Sequence, residues 1–481
     1  MPTDDTTWPG ALELLDGFYP PERDELGPFA WARRAFRLGR REGEAYVRAD
    51  ICYYGKDGRL KARDRAGHEL EITLSPGWNT YALDFSAGWE REVEFELDRL
   101  IPVDGDPREL GVMLRPARPV ANAEGLRLLG EIAENRRLNR TEFLEGRAVL
   151  ESLPPQLRIS VENRCNLQPR CAYCEWEWQK SREEDWPLGA GAETLDALGD
   201  FFRLASSVVD LGYGEPFLAP HLRSLLDECG RTHKTVELVT NGTLLDESNR
   251  RLVAGRDLLL YVSLDAATSG VYRRYRSADF ELIISNLRAL CRHKREGNRL
   301  PRVATSFIAM RSNARQLERY LDLMADVGVD AVKLRELFPE PRLEADRSRK
   351  RGFDFDYAAE ILPREEFRTL TEQARRLADT HGISLLLEDN FCMEWGPKAP
   401  LCSEPWFSLY ALRRGLMPCC FATEPIAEWP RHRDASFRDF LTEVFNGPVY
   451  RQLRSDLAAG HLPEHCKKCR NCPVVKRAAL N

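Results

Sequence analysis

Three cysteines within ten residues form the part of this sequence most capable of chemistry. Cys165, Cys171 and Cys174 follow an apolar run that ends at Val161. Three thiolates can hold three irons of a four-iron cluster and leave the fourth iron open to a reactant. The alternative is a structural zinc site, but zinc needs a fourth ligand and none lies nearby in sequence. The spacing therefore favours an iron–sulfur cluster with an open coordination position.

Polar motifs follow the next three strand-like runs in order. Gly-Tyr-Gly-Glu-Pro stands at 212–216, Thr-Asn-Gly at 240–242 and Ser-Leu-Asp at 263–265. Each motif alone is weak, because turns and strand ends commonly carry such residues. Together with the cysteine loop, however, their order resembles the radical S-adenosylmethionine (radical SAM) superfamily over about half of the chain.

The resemblance implies cofactors and the residues that hold them. In that superfamily the open iron of a [4Fe-4S] cluster chelates the amino and carboxylate groups of S-adenosylmethionine (SAM). An electron from a donor such as flavodoxin or ferredoxin then yields a 5′-deoxyadenosyl radical, which abstracts hydrogen from substrate. The implied cluster ligands are Cys165, Cys171 and Cys174. The implied SAM-binding residues are Tyr173 at the adenine, Gly214 and Glu215 at the amino group, Ser263, Asp265 and Arg276 near the ribose or carboxylate, and Asn241 and Asn313.

These residue types suit such a cofactor, although one spacing departs from the family pattern. Glycine permits close backbone approach, a carboxylate complements an ammonium group, and a guanidinium pairs with a carboxylate. Five residues separate Cys165 from Cys171, where the usual pattern has three. The enlargement leaves the number of cysteine ligands unchanged, but the family pattern does not predict the path of the longer loop.

Six further cysteines lie in the last eighty residues of the chain. Their arrangement resembles the auxiliary-cluster extension called SPASM or, in its reduced form, twitch, with a shortened second half that predicts one auxiliary [4Fe-4S] cluster. The predicted ligands are Cys402, Cys420 and two of Cys466, Cys469 and Cys472, the last two preferred, with Cys419 as an alternate. A zinc knuckle is the alternative, since cysteines at this spacing also suit tetrahedral zinc.

Four cysteines belong to neither set. Cys52, Cys229 and Cys291 are interpreted as small buried apolar residues. Cys392 follows a predicted strand, so it is a candidate hydrogen-atom donor to a substrate radical; a buried linker thiol is the alternative. Glu388, Asp389, Trp395 and Trp406 are candidate pocket residues without an assigned role.

Alternating strands and helices must position these groups. From residue 155 to about 390, β-rich runs alternate with amphipathic helices, which predicts an α/β fold that we interpret as a partial (β/α)6-type parallel barrel. Reactive groups in barrels lie in loops after the carboxyl ends of strands, where the motifs above fall. The predicted strands are Leu157–Val161, Val208–Leu211, Thr235–Thr240, Leu258–Ser263, Val303–Met310, Ala331–Leu334 and Ser384–Leu387.

Two other segments of the barrel region have their own patterns. Apolar residues at helical spacing are interpreted as plain core, namely Leu317, Tyr320, Leu321, Met324 and Val327. Residues 338–363 are charged and poorly periodic, which favours a solvated loop over a mobile lid.

Four regions are predicted along the chain. Residues 28–118 alternate like strands between turn motifs, which predicts an N-terminal β-rich sandwich-like domain at 1–119. Carbohydrate binding is one role for such a domain, and packing or oligomerisation is at least as well supported. A helical linker at 120–154, the barrel at 155–390 and the cysteine-rich domain at 391–481 follow.

Composition excludes several classes of protein. A net charge of -6 without a basic stripe argues against nucleic acid as a partner. The N-terminus lacks a basic region followed by an apolar stretch, and no apolar run is long enough to span a bilayer, which predicts a cytoplasmic protein without a membrane partner. Nine of the thirteen cysteines cluster at ligand-like spacings, which favours metal or redox chemistry over disulfides.

Three functions are compatible with these features. The leading prediction is a radical SAM oxidoreductase or epimerase that abstracts hydrogen from a small molecule, a sugar or another polyol. An auxiliary cluster would favour dehydrogenation because it can accept an electron, whereas a thiol donor would favour epimerisation. The second is maturation of a ribosomally made peptide by thioether or carbon–carbon links. The third is a non-catalytic iron–sulfur or zinc scaffold.

Overall fold

The computed structural model divides the chain into two compact units. They comprise residues 1–137 and 138–481, and the boundary falls within one helix. The residues described are 10–24, 27–55, 58–100, 106, 108, 110–174, 192–211, 214–296, 300–337, 353, 355–387, 399–412, 415–419, 425–428, 436–467 and 472.

The N-terminal unit is built from antiparallel strands, as predicted. Burial alternates strictly in β5 and β8, so that one face of each strand packs inward. The buried face includes Phe36, Leu60 and Phe95, and the rings of Phe36 and Phe95 stack with centroids 5.2 Å apart. The strands are β1 Leu12–Phe18, β2 Glu22–Asp24, β3 Gly27–Arg40, β4 Tyr46–Tyr53, β5 Gly58–Arg63, β6 Glu69–Leu74, β7 Gly77–Asp84, β8 Glu92–Leu97, β9 Met113–Leu114 and β10 Arg118–Pro119.

The second unit contains a curled parallel sheet, which confirms the α/β partial barrel. Strands β11 to β17 lie side by side in chain order, and every neighbouring pair is parallel. The strands are β11 Gln156–Ile159, β12 Ser207–Asp210, β13 Thr235–Thr240, β14 Leu258–Ser263, β15 Arg302–Ala309, β16 Ala331–Glu336 and β17 Ser384–Leu387. Each observed strand overlaps its predicted counterpart.

The sheet continues past β11 with strands from near the end of the chain. Strand β18, Ser408–Leu412, pairs in parallel with β11, and β19, Gly415–Met417, and β20, Ala427–Glu428, add antiparallel strands beyond it. Leu409 and Ala411 belong to the same buried core as Leu157 and Ile159. The C-terminal region therefore completes one edge of the barrel sheet.

Helices cover the outer face of this sheet. Helix α8 buries Leu317, Tyr320, Leu321, Met324 and Val327, which confirms the predicted core stripe. The residue that follows it, Gly328, has a φ of 86°, a left-handed conformation that glycine adopts easily. The helices are α1 Ala123–Leu144, α2 Ala192–Leu198, α3 Asp200–Arg203, α4 Leu222–Arg231, α5 Glu247–Val253, α6 Ser269–Tyr272, α7 Phe280–Glu296, α8 Leu317–Val327, α9 Tyr357–Glu360, α10 Arg364–His381, α11 Glu404–Phe407, α12 Ser436–Phe445, α13 Pro448–Ala458 and α14 Glu464–Lys467.

The interpretation of 338–363 as a solvated loop is wrong for its described end. Phe355, Tyr357 and Leu362 are buried, and Phe355 packs against Tyr173 and Tyr275 with ring centroids 6.0 and 6.3 Å away. Apolar side chains within a charged segment here form a local cluster. Residues 338–352 and 354 lie outside the described ranges.

Among the helices in the described ranges, none has an apolar stretch long enough to cross a bilayer.

Candidate active site

The predicted polar groups lie beyond the carboxyl ends of consecutive strands. The cysteine loop follows β11, Glu215 follows β12, Asn241 follows β13, Asp265 follows β14 and Asn313 follows β15. Because these strands are parallel and adjacent, their carboxyl ends share one edge of the sheet. The fold therefore brings residues together that are up to about 150 positions apart in the sequence.

The enlarged spacing between Cys165 and Cys171 is accommodated by an anchored loop. Asn166 accepts a hydrogen bond from Asn241 Nδ2 at 2.8 Å and donates one to Thr243 Oγ1 at 2.8 Å. Leu167 is buried in the barrel core, and the Pro169 carbonyl accepts a hydrogen bond from Ser277 at 2.7 Å. The intervening segment is thus tied at Asn166 to the loop after β13 and at Pro169 to the loop after β14.

The three cysteines of this loop are half-buried. Cys165 and Cys171 pack against the barrel core, and each interacts electrostatically with the thiol of Cys174. Burial raises the pKa of Cys165 and raises that of Cys171 to about 12, so the free thiolates are disfavoured. A bound metal centre would compensate for this cost, and three thiols in one loop fit an iron–sulfur cluster. In the described ranges, no three cysteine, histidine or acidic side chains are already gathered as a metal site.

Gly214 packs directly against the start of the cysteine loop. A Cβ atom at this position would lie 2.2 Å from the Glu162 carbonyl oxygen and 2.7 Å from that of Arg164. The next residue, Glu215, donates its backbone N–H to the Arg164 carbonyl at 2.8 Å. Only glycine permits this close approach of two backbone segments.

The Glu215 carboxylate joins the loops after β12 and β13. It is fully buried and accepts hydrogen bonds from Thr240 Oγ1 at 2.8 Å and from the Asn241 N–H at 2.9 Å. Burial raises its pKa to about 7 despite these donors. Asn241, so positioned, directs its side-chain nitrogen to within 3.9 Å of Cys165 Sγ.

Asp265 is the centre of a second buried network. Its carboxylate accepts hydrogen bonds from Tyr173 Oη, from Arg276 Nε at 2.7 Å and from the Ile308 N–H at 2.8 Å. The Arg276 guanidinium lies 5.5 Å from the centroid of the Tyr173 ring, and both Asp265 and Arg276 are buried. Three residues that the resemblance assigned to one cofactor thus meet in a single cluster.

Asn313 and Ser263 occupy different positions around this network. The buried Asn313 side chain donates to the Asp265 and Ile308 carbonyls, both at 2.8 Å, and so fixes the ends of β14 and β15. Ser263 is the last residue of β14, half-buried opposite Ser306. Asn313 therefore holds the segments that follow β14 and β15 in place, whereas Ser263 lies at the carboxyl end of β14.

Comparison with protein families identifies this part of the chain. The model of the Radical SAM superfamily matches residues 159–300, which contain the cysteine loop and most of the motifs described above. The chain carries a radical SAM domain.

Individual relatives match at low identity. The probable GTP 3′,8-cyclase of Methanocaldococcus jannaschii is 26% identical over 178 residues, which cover 36% of this chain and 55% of that protein. The antilisterial bacteriocin subtilosin biosynthesis protein AlbA of Bacillus subtilis is 22% identical over 335 residues, which cover 67% of this chain and 65% of AlbA. This chain therefore spans only between half and two thirds of the length of these relatives.

Among solved structures, SuiB of Streptococcus suis bound to S-adenosylmethionine superposes with a TM-score of 0.47. The identity is 16%, and the match covers 72% of this chain and 75% of SuiB.

The inner face of the radical SAM barrel carries polar residues that sequence reasoning missed. Leu259, Ala304 and Ala331 form a small apolar cluster separate from the main core, with Tyr261 packed against it. Lys333 Nζ lies 5.1 Å from the centroid of the Tyr261 ring. Strand alternation places both side chains on the same face as Ser263. Tyr261 stands two residues before Ser263, so the alternation itself could have identified it.

Several candidates from the C-terminal region are only partly described. Cys402, Cys419, Cys466 and Cys472 are half-buried and make no disulfide, while Cys392, Cys420 and Cys469 lie outside the described residues. Glu388, Asp389 and Trp395 also lie outside them. The three cysteines outside both sets, Cys52, Cys229 and Cys291, are buried as expected.

Trp406 is not a pocket residue, which corrects the prediction made for it. Its side chain is fully buried, packs edge-on against Phe143 at 5.4 Å between centroids, and donates Nε1–H to the Arg147 carbonyl at 2.9 Å. The ring fills the core beside β18, so its role is packing.

Proposed function

We propose that this radical SAM enzyme reductively cleaves SAM and abstracts a hydrogen atom from its substrate. The observation that supports this best is the set of bonds that ties the cysteine loop to its neighbours. Glu215 holds the loop after β12, Asn241 the loop after β13, and Asp265 the loop after β14. Such bracing fixes the cysteine loop beside the loops after β12, β13 and β14 before any cofactor enters, which lowers the cost of orientation.

In this proposal Cys165, Cys171 and Cys174 hold the [4Fe-4S] cluster, and the close backbone at Gly214 borders bound SAM. When bound, these cofactors supply a 5′-deoxyadenosyl radical. The protein then contributes positioning and exclusion of water. Tyr173 serves that end, because burial raises the pKa of its phenol well above the ordinary value and keeps it protonated as a donor to Asp265.

The remaining SAM-binding assignments belong to the same proposal. Ser263 and Arg276 border the ribose or carboxylate, with Arg276 fixed in place by Asp265. Glu215, Asn241 and Asn313 act through the loops that they hold.

The outcome after hydrogen abstraction depends on the C-terminal cysteines. We propose one auxiliary [4Fe-4S] cluster on Cys402, Cys420 and two of Cys466, Cys469 and Cys472, with Cys419 as an alternate ligand and a zinc knuckle as the competing assignment. Cys392 is proposed as a hydrogen donor. A cluster that accepts an electron would make the reaction a dehydrogenation, whereas donation by Cys392 would make it an epimerisation.

The substrate is either a ribosomally made peptide or a sugar. AlbA, the relative that covers 67% of this chain, is named for biosynthesis of a bacteriocin, which supports peptide maturation. The prediction of a sugar or polyol substrate has no support from the relatives reported above. We therefore place the peptide first.

Anaerobic reconstitution tests the reaction. With dithionite and SAM the enzyme should form 5′-deoxyadenosine, and Cys174→Ser should abolish that product. About eight irons per chain would fit one SAM-binding and one auxiliary cluster, whereas about four irons with one zinc would favour the knuckle. If the protein holds an intact cluster but forms no 5′-deoxyadenosine, the enzymatic function is rejected and a non-catalytic scaffold is favoured.

The substrate is tested with candidates from neighbouring genes. A short precursor peptide that gains a cross-link, seen as the loss of two hydrogens by mass spectrometry, would establish peptide maturation. A sugar that takes up solvent deuterium without losing mass, in a reaction that Cys392→Ala abolishes, would establish epimerisation instead.

A further inference from the structure

A surface cavity of about 290 Å³ opens between α5 and α7. Its lining consists of Glu247, Arg250, Arg251, Ala289, Arg292 and His293. On each helix the second and third lining residues lie three and four positions after the first, at 247, 250 and 251 on α5 and at 289, 292 and 293 on α7. This spacing places each set on one stripe of its helix, and the small Ala289 side chain leaves the space between them open.

The cavity is basic in a chain whose net charge is -6. Three arginines face a single carboxylate, Glu247, which pairs with Arg251. Arg250 also donates to the Leu245 carbonyl at 2.5 Å. Arg292 and His293 are exposed and have no hydrogen bond or ion pair to any residue in the described ranges. Positive charge therefore remains available to a partner.

The same two helices hold the loop that contacts the cysteine loop. Asn286 of α7 is buried and donates to the Gly242 carbonyl at 3.0 Å. The residue before Gly242 is Asn241, whose side chain reaches Cys165 and Asn166. Asn286, Ala289 and His293 share one stripe of α7, so this stripe contacts the Asn241 loop at one point and lines the cavity further along.

We propose that this basic surface is the docking site for the protein that delivers the electron, a small acidic one-electron carrier of the flavodoxin type. The inference rests on the proposed function, since reductive cleavage of SAM requires such a donor. Complementary charge steers a carrier to its partner and weakens as salt screens it. Docking here places the carrier against the helices that support the cluster loop.

Binding and reduction are measured separately, with oxidised flavodoxin as the probe. In the reconstituted full-length enzyme, Arg292→Glu combined with Arg251→Gln should raise the Kd for flavodoxin about tenfold at low ionic strength and flatten its salt dependence. The rate of 5′-deoxyadenosine formation driven by reduced flavodoxin should fall at subsaturating carrier. Dithionite, which needs no docking surface, should drive the variant as fast as the wild type. Arg375→Glu, an exposed charge reversal on α10, is the matched control and should behave as the wild type.

Three results would overturn the docking proposal. Flavodoxin binding equal to that of the wild type would do so directly. A parallel loss of dithionite-driven turnover would assign the arginines to the integrity of the cluster loop. Phosphate binding that the variant abolishes, with flavodoxin affinity unchanged, would make the cavity a small-anion site. Absence of 5′-deoxyadenosine from the wild type with any reductant would reject the proposed function, while the Kd measurement would still decide the docking surface.

Discussion

Glu215 is a carboxylate that the fold keeps away from water. Burial raises its pKa to about 7, although hydrogen bonds from the Asn241 N–H, Thr240 and the Phe217 N–H oppose the shift. Its folded pKa thus lies above its unfolded value of about 4.3. The stability associated with its protonated form is fully present below the unfolded pKa and is lost as pH rises through about 7.

Glu215→Gln should therefore flatten the pH dependence of stability. The amide is neutral at all pH values and can still contact Thr240, as the protonated acid does. Between about pH 5 and pH 7 the wild type should lose on the order of 1 kcal/mol of unfolding free energy per pH unit from this group, and the variant should not. Urea unfolding at several pH values measures the difference. Glu318→Gln, an exposed change on α8, is the control; parallel profiles for the wild type and Glu215→Gln would contradict the assignment.

Asp265 differs from Glu215 because it compensates a buried positive charge. Asp265→Asn would leave the Arg276 guanidinium buried without its carboxylate, which should lower the free energy of unfolding by about 3 kcal/mol. Asp326→Asn, which breaks the exposed pair with Arg288, should cost less than about 1 kcal/mol. Chemical denaturation compares the two. Equal losses would mean that the Asp265 pair contributes no more than a surface contact.

At the scale of elements, the alternation of apolar runs with amphipathic helices predicted the barrel strands closely. It predicted the loops poorly. Short apolar runs bounded by turns and alternating with helices identify a strand whatever its partners, which explains why β13, β14 and β17 match their predicted limits. The path from Cys165 to Cys171 depends on Asn241 and Ser277, which lie at least 70 residues away. No local pattern encodes such contacts.

The turn after β12 gives the sharpest test at this scale. Gly214→Ala would place a Cβ atom 2.2 Å from the Glu162 carbonyl oxygen, so the turn or the cysteine loop must move. Iron incorporation on reconstitution should fall severalfold while the helical content stays unchanged. Gly270→Ala, at a site with no atom within 4 Å, is the control. Normal iron content in Gly214→Ala would show that the close approach is dispensable; iron and sulfide assays with circular dichroism supply both readouts.

At the scale of the whole molecule, the sequence did not indicate how the C-terminal region is built. Strand β18 pairs with β11, which lies some 250 residues earlier in the chain. Nothing in the β18 sequence, Ser-Leu-Tyr-Ala-Leu, predicts this pairing. The buried Arg454 adds to the attachment, since it donates to the carbonyls of Pro405 and Ala148 at 3.0 and 3.1 Å. The predicted cysteine-rich region therefore shares its packing with the barrel, and a metal bound by the proposed ligands would be only part of what holds it.

Truncation separates packing from metal binding. A chain ending at residue 398 would lose β18, Trp406 and Arg454 together, which exposes one edge of the parallel sheet and the core behind it. We expect this chain to be aggregated or to unfold at a much lower temperature, because an uncovered sheet edge invites association. The full chain with Cys466→Ser and Cys472→Ser keeps the packing and should retain a folded barrel that still binds the first cluster. Size-exclusion chromatography and thermal unfolding compare the two; a monomeric, stable truncated chain would show that residues 138–398 fold without the C-terminal strands.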